Sequence, residues 1–240
     1  AAIADMGGIV SNQGRLPSPA LAYYAMCNNM ASIMVTGSHI PADRNGIKFT
    51  KRSGEILKSD EPGILENVRS ERIKVYSIAE RFSIFDKNGS KFNELLKAES
   101  YTGKACELYI DRYRSVFGNE FFPEGTKIFL YQHSAVGRDI VKDIFESLGA
   151  KVFAPDIEID NEPLRSNEFV PIDTESVSDK TLLLFKRVLV DNDLDIGITL
   201  DGDSDRPLLV YRAHEEGKPA GNVKYITGDI LGLLAVLGLQ

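Results

Sequence analysis

Nowhere do the 240 residues stay apolar for the roughly 20 consecutive positions that a membrane-spanning helix needs. No stretch has the basic start and apolar centre of a signal peptide. Positive charge is in deficit: 28 Lys and Arg stand against 35 Asp and Glu, a formal net charge of -7. A nucleic-acid surface needs a basic face, so that partner class is excluded. An anionic small molecule is not, because a bound cation and a few Lys or Arg set the potential of a small site. Cysteine is scarce as well. Cys27 and Cys106 stand far apart, with no metal-ligand spacing and no disulfide framework, which points to a reducing cytoplasm. There is no internal repeat. The length and the apolar content are enough for two compact domains or one large one.

Two stretches carry chemistry. In the first, the apolar Ile33-Met34-Val35 reads as a short buried strand running into Thr36-Gly37-Ser38-His39-Ile40-Pro41 and then Asn45-Gly46-Ile47-Lys48. Loops at strand ends are where rigid scaffolds hold reactive groups. Pro41 bars a simple continuation of helix or central strand, and Asn45-Gly46 is a turn signal that folds Lys48 back towards Ser38. A serine needs a neighbouring base or a strong local field to act as a nucleophile. His39 is adjacent, but a Ser-His pair alone is common in loops. Arg44 reads as a solvated turn residue.

The second stretch is Asp201-Gly202-Asp203-Ser204-Asp205-Arg206, which follows the strand-like Ile196 to Leu200. Three carboxylates at alternate positions repel one another unless a counter-charge sits between them, and Asp oxygens suit magnesium or calcium. An EF-hand loop does not fit, since its required Gly position holds Arg206 and its closing Glu position holds Arg212. A bound cation is the expectation.

Together these stretches resemble the alpha-D-phosphohexomutase family, which includes phosphomannomutases, phosphoglucomutases and phosphoglucosamine mutases. The first is similar to the family's active-serine loop and the second to its metal loop. Three positions depart from the pattern: Ile40 where Asn is usual, Gly37 before the serine, and Ser204 where Gly or Ala is common. None removes a reactive group. The resemblance implies a phosphoserine at Ser38 and a general acid/base at Lys48, whose amine would need a lowered pKa. It implies His39 beside the phosphoserine, magnesium on Asp201, Asp203 and Asp205 with Ser38 among its ligands, and a phosphate contact from Arg206. It also implies a sugar phosphate as substrate and a hexose 1,6-bisphosphate as activator and intermediate. The sugar and the oligomeric state stay open. So does a catalytically inert metal- and phosphate-binding fragment, because the family's sugar-reading and phosphate-clamp domains have no counterpart here. An Asp-nucleophile phosphatase is disfavoured, since its Asp-x-Asp comes early in the chain and this one comes late.

Along the rest of the chain, Ser18-Pro19 reads as a helix start with Ser18 as the N-cap. Helices are expected to about residue 29, after Asp60, over 92–97, through Cys106 to Phe117, from Arg138 to Leu148, and after Asp179 as the cap. Strands are expected at Lys127–Tyr131, Lys151–Ala154, Asp195–Leu200 and Pro207–Tyr211, with extended chain near 84–89. His133 reads as a structural residue ahead of a functional one. The alternation makes the fold class α/β. The resemblance implies consecutive three-layer α/β/α domains with mixed sheets. Residues 1–100 would be the C-terminal part of a first domain, 101–212 a second domain ending in the metal loop, and 213–240 a hinge and the start of a third.

Overall fold

The computed structural model describes residue 3 and residues 7–37, 44–83, 103–213 and 222–238. Helix α1 (Ser18–Cys27) leads into β1 (Ser32–Thr36), β2 (Gly46–Lys51) and β3 (Gly54–Glu55), an antiparallel sheet in the order β1-β2-β3. The pairing sets Thr36 opposite Gly46 and Met34 opposite Lys48. The expected turn at Asn45-Gly46 is corrected: Gly46 already belongs to β2. Residues 38–43, including Ser38 and His39, lie outside the described residues. Helix α2 (Glu61–Tyr76) follows. Asp60 precedes it as expected, but its carboxylate accepts from the Leu57 N–H and from Lys51 instead of capping the helix. The stretches expected over 84–89 and 92–97, and the seam near residue 100, lie outside the described residues.

Helix α3 (Lys104–Phe117) opens the second half, followed by β4 (Lys127–Leu130), α4 (Arg138–Ser147), β5 (Lys151–Phe153) and the small hairpin β6 (Glu158–Ile159) and β7 (Glu162–Pro163). Then come α5 (Asp179–Asp191), β8 (Ile196–Leu200), β9 (Pro207–Ala213), β10 (Asn222–Ile226) and α6 (Gly228–Gly238). The main sheet is mixed, in the order β10-β9-β8-β4-β5. Strands β5, β4 and β8 run parallel, while β9 and β10 turn back antiparallel. The sheet therefore continues past residue 212: Ala213 and Asn222–Ile226, within the stretch expected to be a hinge and the start of a third domain, are strand.

Helix α5 packs Leu184, Phe185, Val188 and Leu189 onto Phe129, Tyr131, Leu208 and Val210 of the sheet. Those helix positions recur with the helical period, so one stripe is apolar. Ser178, not Asp179, is its N-cap, its hydroxyl accepting the Thr181 N–H at 3.1 Å. A second core joins Leu16 and Ala20 of the N-terminal part to Ala105 and Tyr109 of α3 and to Ile144 and Leu148 around α4. This packing holds α1 against the second half of the chain, and it brings the two halves of the site together.

Gly197 shows how tightly the sheet meets α5. A Cβ there would lie 2.5 and 2.7 Å from two ring carbons of the fully buried Phe185. Gly197→Ala is expected to cost about 1–3 kcal/mol through overpacking, read as a lower denaturant midpoint in equilibrium unfolding.

Candidate active site

Strand β8 delivers Asp201 at the C-terminal end of the parallel strands, the edge where open α/β sheets place ligands. Asp201 is fully buried and organises the loop that follows it. Its Oδ1 accepts the N–H groups of Asp205 and Arg206, each at 3.1 Å. Its Oδ2 accepts Arg206 Nε at 3.1 Å and Nη2 at 2.8 Å. Carboxylate oxygens of Asp201, Asp203 and Asp205 all lie within 4.8 Å of one another. Asp203 is 2% exposed.

The loop is held from three sides. From the β4–α4 connection, the Val136 N–H donates to the Gly202 carbonyl at 3.0 Å and the Gly137 N–H to Ser204 Oγ at 2.9 Å. Ser204 has φ 61°, a left-handed conformation that costs a non-glycine residue about 1 kcal/mol. Its bond to Gly137 offsets that cost, so the departure from Gly or Ala at 204 has a local partner. From α1, the Ser18 N–H donates to the Asp203 carbonyl at 3.0 Å and Ser18 Oγ to Asp203 Oδ2 at 2.8 Å. From β2, Lys48 Nζ donates to Asp203 Oδ2 at 2.7 Å and to Asp205 Oδ2 at 2.6 Å.

The electrostatics follow from these contacts. Burial pushes the Asp205 carboxyl up, reinforced by the neighbouring Asp203 and Asp201, while Lys48 opposes the shift. Burial alone would lower the Lys48 amine, but its bonds to Asp203 and Asp205 win and hold it above its ordinary value. A general base needs the opposite direction, so the lowered amine implied for Lys48 is not the one found beside bare carboxylates. The three hard oxygen donors fit a divalent cation, and the ammonium of Lys48 occupies the place of a counter-charge. Lys48→Met removes that competitor. Magnesium or manganese is expected to bind roughly fivefold tighter to the variant, about 1 kcal/mol for a partly exposed ion pair, by titration calorimetry.

Arg206 turns its planar fork onto Asp201 and, through Nη1, onto Glu175 Oε1 at 2.8 Å. Burial opposes its charge, but Glu175 and Asp201 raise its pKa above the ordinary value. Glu175 and Ser18 are contacts the sequence reading missed. Ser18 carries a correction too: it makes no cap bond, and Pro17 holds the N-cap position of α1. His133 is a structural residue, as read. It is fully buried, its Nε2 lies 2.8 Å from the Leu200 carbonyl, and its own carbonyl accepts Arg138 Nη1 at 2.8 Å. Arg44 is exposed.

Two clefts meet at this loop. One, of about 430 Å³, runs past Arg15, Thr36, Val136 and Asp203. The other, of about 510 Å³, passes Ser18, Lys48 and Asp205. A third, of about 450 Å³, lies between α3 and α4 and is walled by Glu107, Asp111, Asp143 and Glu146. Its four carboxylates outnumber Arg114, the one cation in the lining, which disfavours phosphate, and it contains none of the chemistry-bearing residues singled out in the sequence.

Residues 1–74 match the family model for phosphoglucomutase/phosphomannomutase, alpha/beta/alpha domain I. The whole chain aligns at 38% identity with a phosphomannomutase of Sinorhizobium fredii and covers 44% of it. It aligns at 37% with a phosphomannomutase of Salmonella muenchen, covering 42%. A phosphoglucosamine mutase of Herminiimonas arsenicoxydans is 31% identical over 82% of this chain and 39% of its own length. The chain thus spans under half the length of these relatives. In fold it is similar to a solved phosphoglucomutase/phosphomannomutase family protein of Burkholderia thailandensis, with TM-score 0.58 and 20% identity, over 85% of this chain and 40% of that one. No described helix is long and apolar enough to cross a membrane. Over its whole length the chain is similar to phosphohexomutases, and its first 74 residues match their first domain.

Proposed function

We propose that this chain carries the phosphoserine and metal half of a cytoplasmic hexose-phosphate mutase, which moves a phosphoryl group between the 1- and 6-hydroxyls of a sugar. The observation that carries the proposal is the meeting of Lys48 with Asp203 and Asp205, which joins the hairpin bearing the serine loop to the acidic loop. In this reading phosphorylated Ser38 gives its phosphoryl group to a hydroxyl of a bound hexose monophosphate. The Ser38 Oγ–P bond breaks as the sugar O–P bond forms, the hydroxyl proton passes to the neutral amine of Lys48, and the freed Ser38 oxygen takes a proton from His39. The resulting 1,6-bisphosphate returns its other phosphoryl group to Ser38, whose proton goes back to His39 while Lys48 protonates the sugar oxygen that is freed. Phosphoryl transfer depends on positioning and on neutralising charge. Magnesium held by Asp201, Asp203, Asp205 and Ser38 would supply positive charge against the phosphoryl oxygens. Lys48 has to leave the two carboxylates and give up its own proton before it takes one up, because both hold it protonated. Arg206 reaches a phosphate by exchanging the exposed Glu175 while keeping Asp201, a geometry that suits its planar fork.

The division into residues 1–100, 101–212 and 213–240 is part of this proposal. Mannose phosphate is the first substrate to test, since the phosphomannomutases align more closely than the phosphoglucosamine mutase. The coverage of under half of these relatives favours a second reading, binding of metal and phosphate without turnover. Phosphorus NMR of mannose 1-phosphate with magnesium and catalytic hexose 1,6-bisphosphate separates the two. A growing 6-phosphate signal, absent in Ser38→Ala, supports the mutase. No conversion with magnesium bound supports the second reading.

A further inference from the structure

We infer that Ser18 is a positioning residue for Asp203, setting the metal affinity of a loop 185 residues away in sequence. The inference rests on the reading of the three aspartates as a metal site. Ser18 is the first residue of α1, one position past the N-cap Pro17, and its hydroxyl makes no cap bond to its own helix. Both its donors go to one residue instead: the N–H to the Asp203 carbonyl at 3.0 Å and the hydroxyl to Asp203 Oδ2 at 2.8 Å. A carboxylate only accepts, so the hydroxyl proton must point at Oδ2. Two bonds from a single residue set both the height of the Asp203 backbone and the rotation of its carboxylate.

The support behind Ser18 is firm. Pro17, on one side of it, would lie within 2.9 Å of a Cβ placed on Gly137. Leu16 and Ala20, on either flank, are buried against α3 and α4. The hydroxyl is therefore carried by a packed element, not by a free loop end.

Lys48 Nζ donates to the same Oδ2 at 2.7 Å, and a cation arriving at the cluster competes with that ammonium for the carboxylate. Ser18 is uncharged and approaches from the helix side, so it keeps its bond and holds Asp203 at the angle the cation meets. Groups that orient a metal ligand through a hydrogen bond commonly change affinity by about 10- to 100-fold when removed.

The test is manganese titration by calorimetry on the 240-residue chain and three variants. Ser18→Ala is expected to bind about tenfold more weakly. Ser18→Thr, which keeps the hydroxyl, is expected to stay within about twofold of the parent. Leu194→Ala deletes a buried side chain just before β8, at the end of the strand away from the loop, a loss of about 2–5 kcal/mol in stability. It is expected to lower the unfolding midpoint and leave manganese affinity unchanged. Equal affinity in Ser18→Ala and the parent overturns the inference, as does a Ser18→Thr variant no better than Ser18→Ala. An equal affinity loss in Leu194→Ala also overturns it, since stability alone would then explain the effect. A parent that binds no manganese overturns the metal reading itself, and that failure is seen in the parent before any variant is compared.

Discussion

Asp201→Ala is expected to lose metal affinity by roughly 100-fold or more and to weaken the metal-free fold in the same substitution. The two effects have separate causes. One of three oxygen donors disappears from the cluster, and losing a ligand costs more than the 10- to 100-fold usual for an orienting partner. The fold is weakened because the Asp205 and Arg206 N–H groups lose their acceptor and the Arg206 guanidinium loses its buried partner. Removing one member of such a network costs about 2–4 kcal/mol. Arg206 is partly exposed and keeps Glu175, which argues for the lower end. Asp201→Asn keeps the shape and one acceptor oxygen, so it should fall between Asp201→Ala and the parent in stability while losing most of the metal affinity. Denaturant unfolding in chelator, set beside manganese titration, reads the two effects apart. An Asp201→Ala chain with the parent's affinity would mean that the other two carboxylates hold the cation without it.

The second large effect is expected in acid. Burial pushes His133 down to about 4; the Leu200 carbonyl and Asp201 oppose that shift, and Arg138 adds to it. Above the unfolded value near 6.5 the imidazole is neutral in both states and contributes no pH dependence. Below it the unfolded chain takes up a proton that the folded chain refuses, so stability falls with pH until the folded histidine itself titrates near 4. The accumulated loss is on the order of 3 kcal/mol. The carboxylates of Asp139 and Asp60 act in a lower window. Arg165 holds the first below the ordinary carboxylate range and Lys51 the second, so their stabilisation is lost only as pH falls further. His133→Gln keeps an N–H for the Leu200 carbonyl and carries no charge. Its unfolding free energy is expected to lose the parent's fall between pH 6.5 and 4 in urea titrations, with Asp205, whose folded carboxyl is pushed up, tilting it slightly the other way. A slope as steep as the parent's would place the acid sensitivity elsewhere.

What could be read from the sequence was what depends on local pattern. Alternating carboxylates after an apolar strand signal a cation loop because their mutual repulsion is a local fact, and the structure gathers all three. The apolar stripes of α3, α4 and α5 repeat with the helical period, so those helices could be read almost to their ends. What escaped was contact between distant residues. Ser18 before Pro19 has the signature of a helix cap, and nothing nearby in sequence reveals that Asp203 draws the hydroxyl away. Lys48 could be placed across a turn from Ser38, but its partners in the second half of the chain could not, so the direction of its amine shift was missed. The strand at Asn222–Ile226 was hidden by the charged stretch before it, and its place was set by pairing with β9. Strand preference there is a matter of neighbours more than of the segment itself.

The most direct test is the intact mass of the chain after incubation with magnesium and a hexose 1,6-bisphosphate, beside Ser38→Ala. A gain of one phosphoryl group in the parent alone is the expected result, because Ser38 is then the acceptor and the residues gathered here suffice for half of the cycle. No gain in a parent that demonstrably holds magnesium would contradict Ser38 as the phosphoryl carrier of this chain. A gain that persists in Ser38→Ala would move the acceptor to another residue.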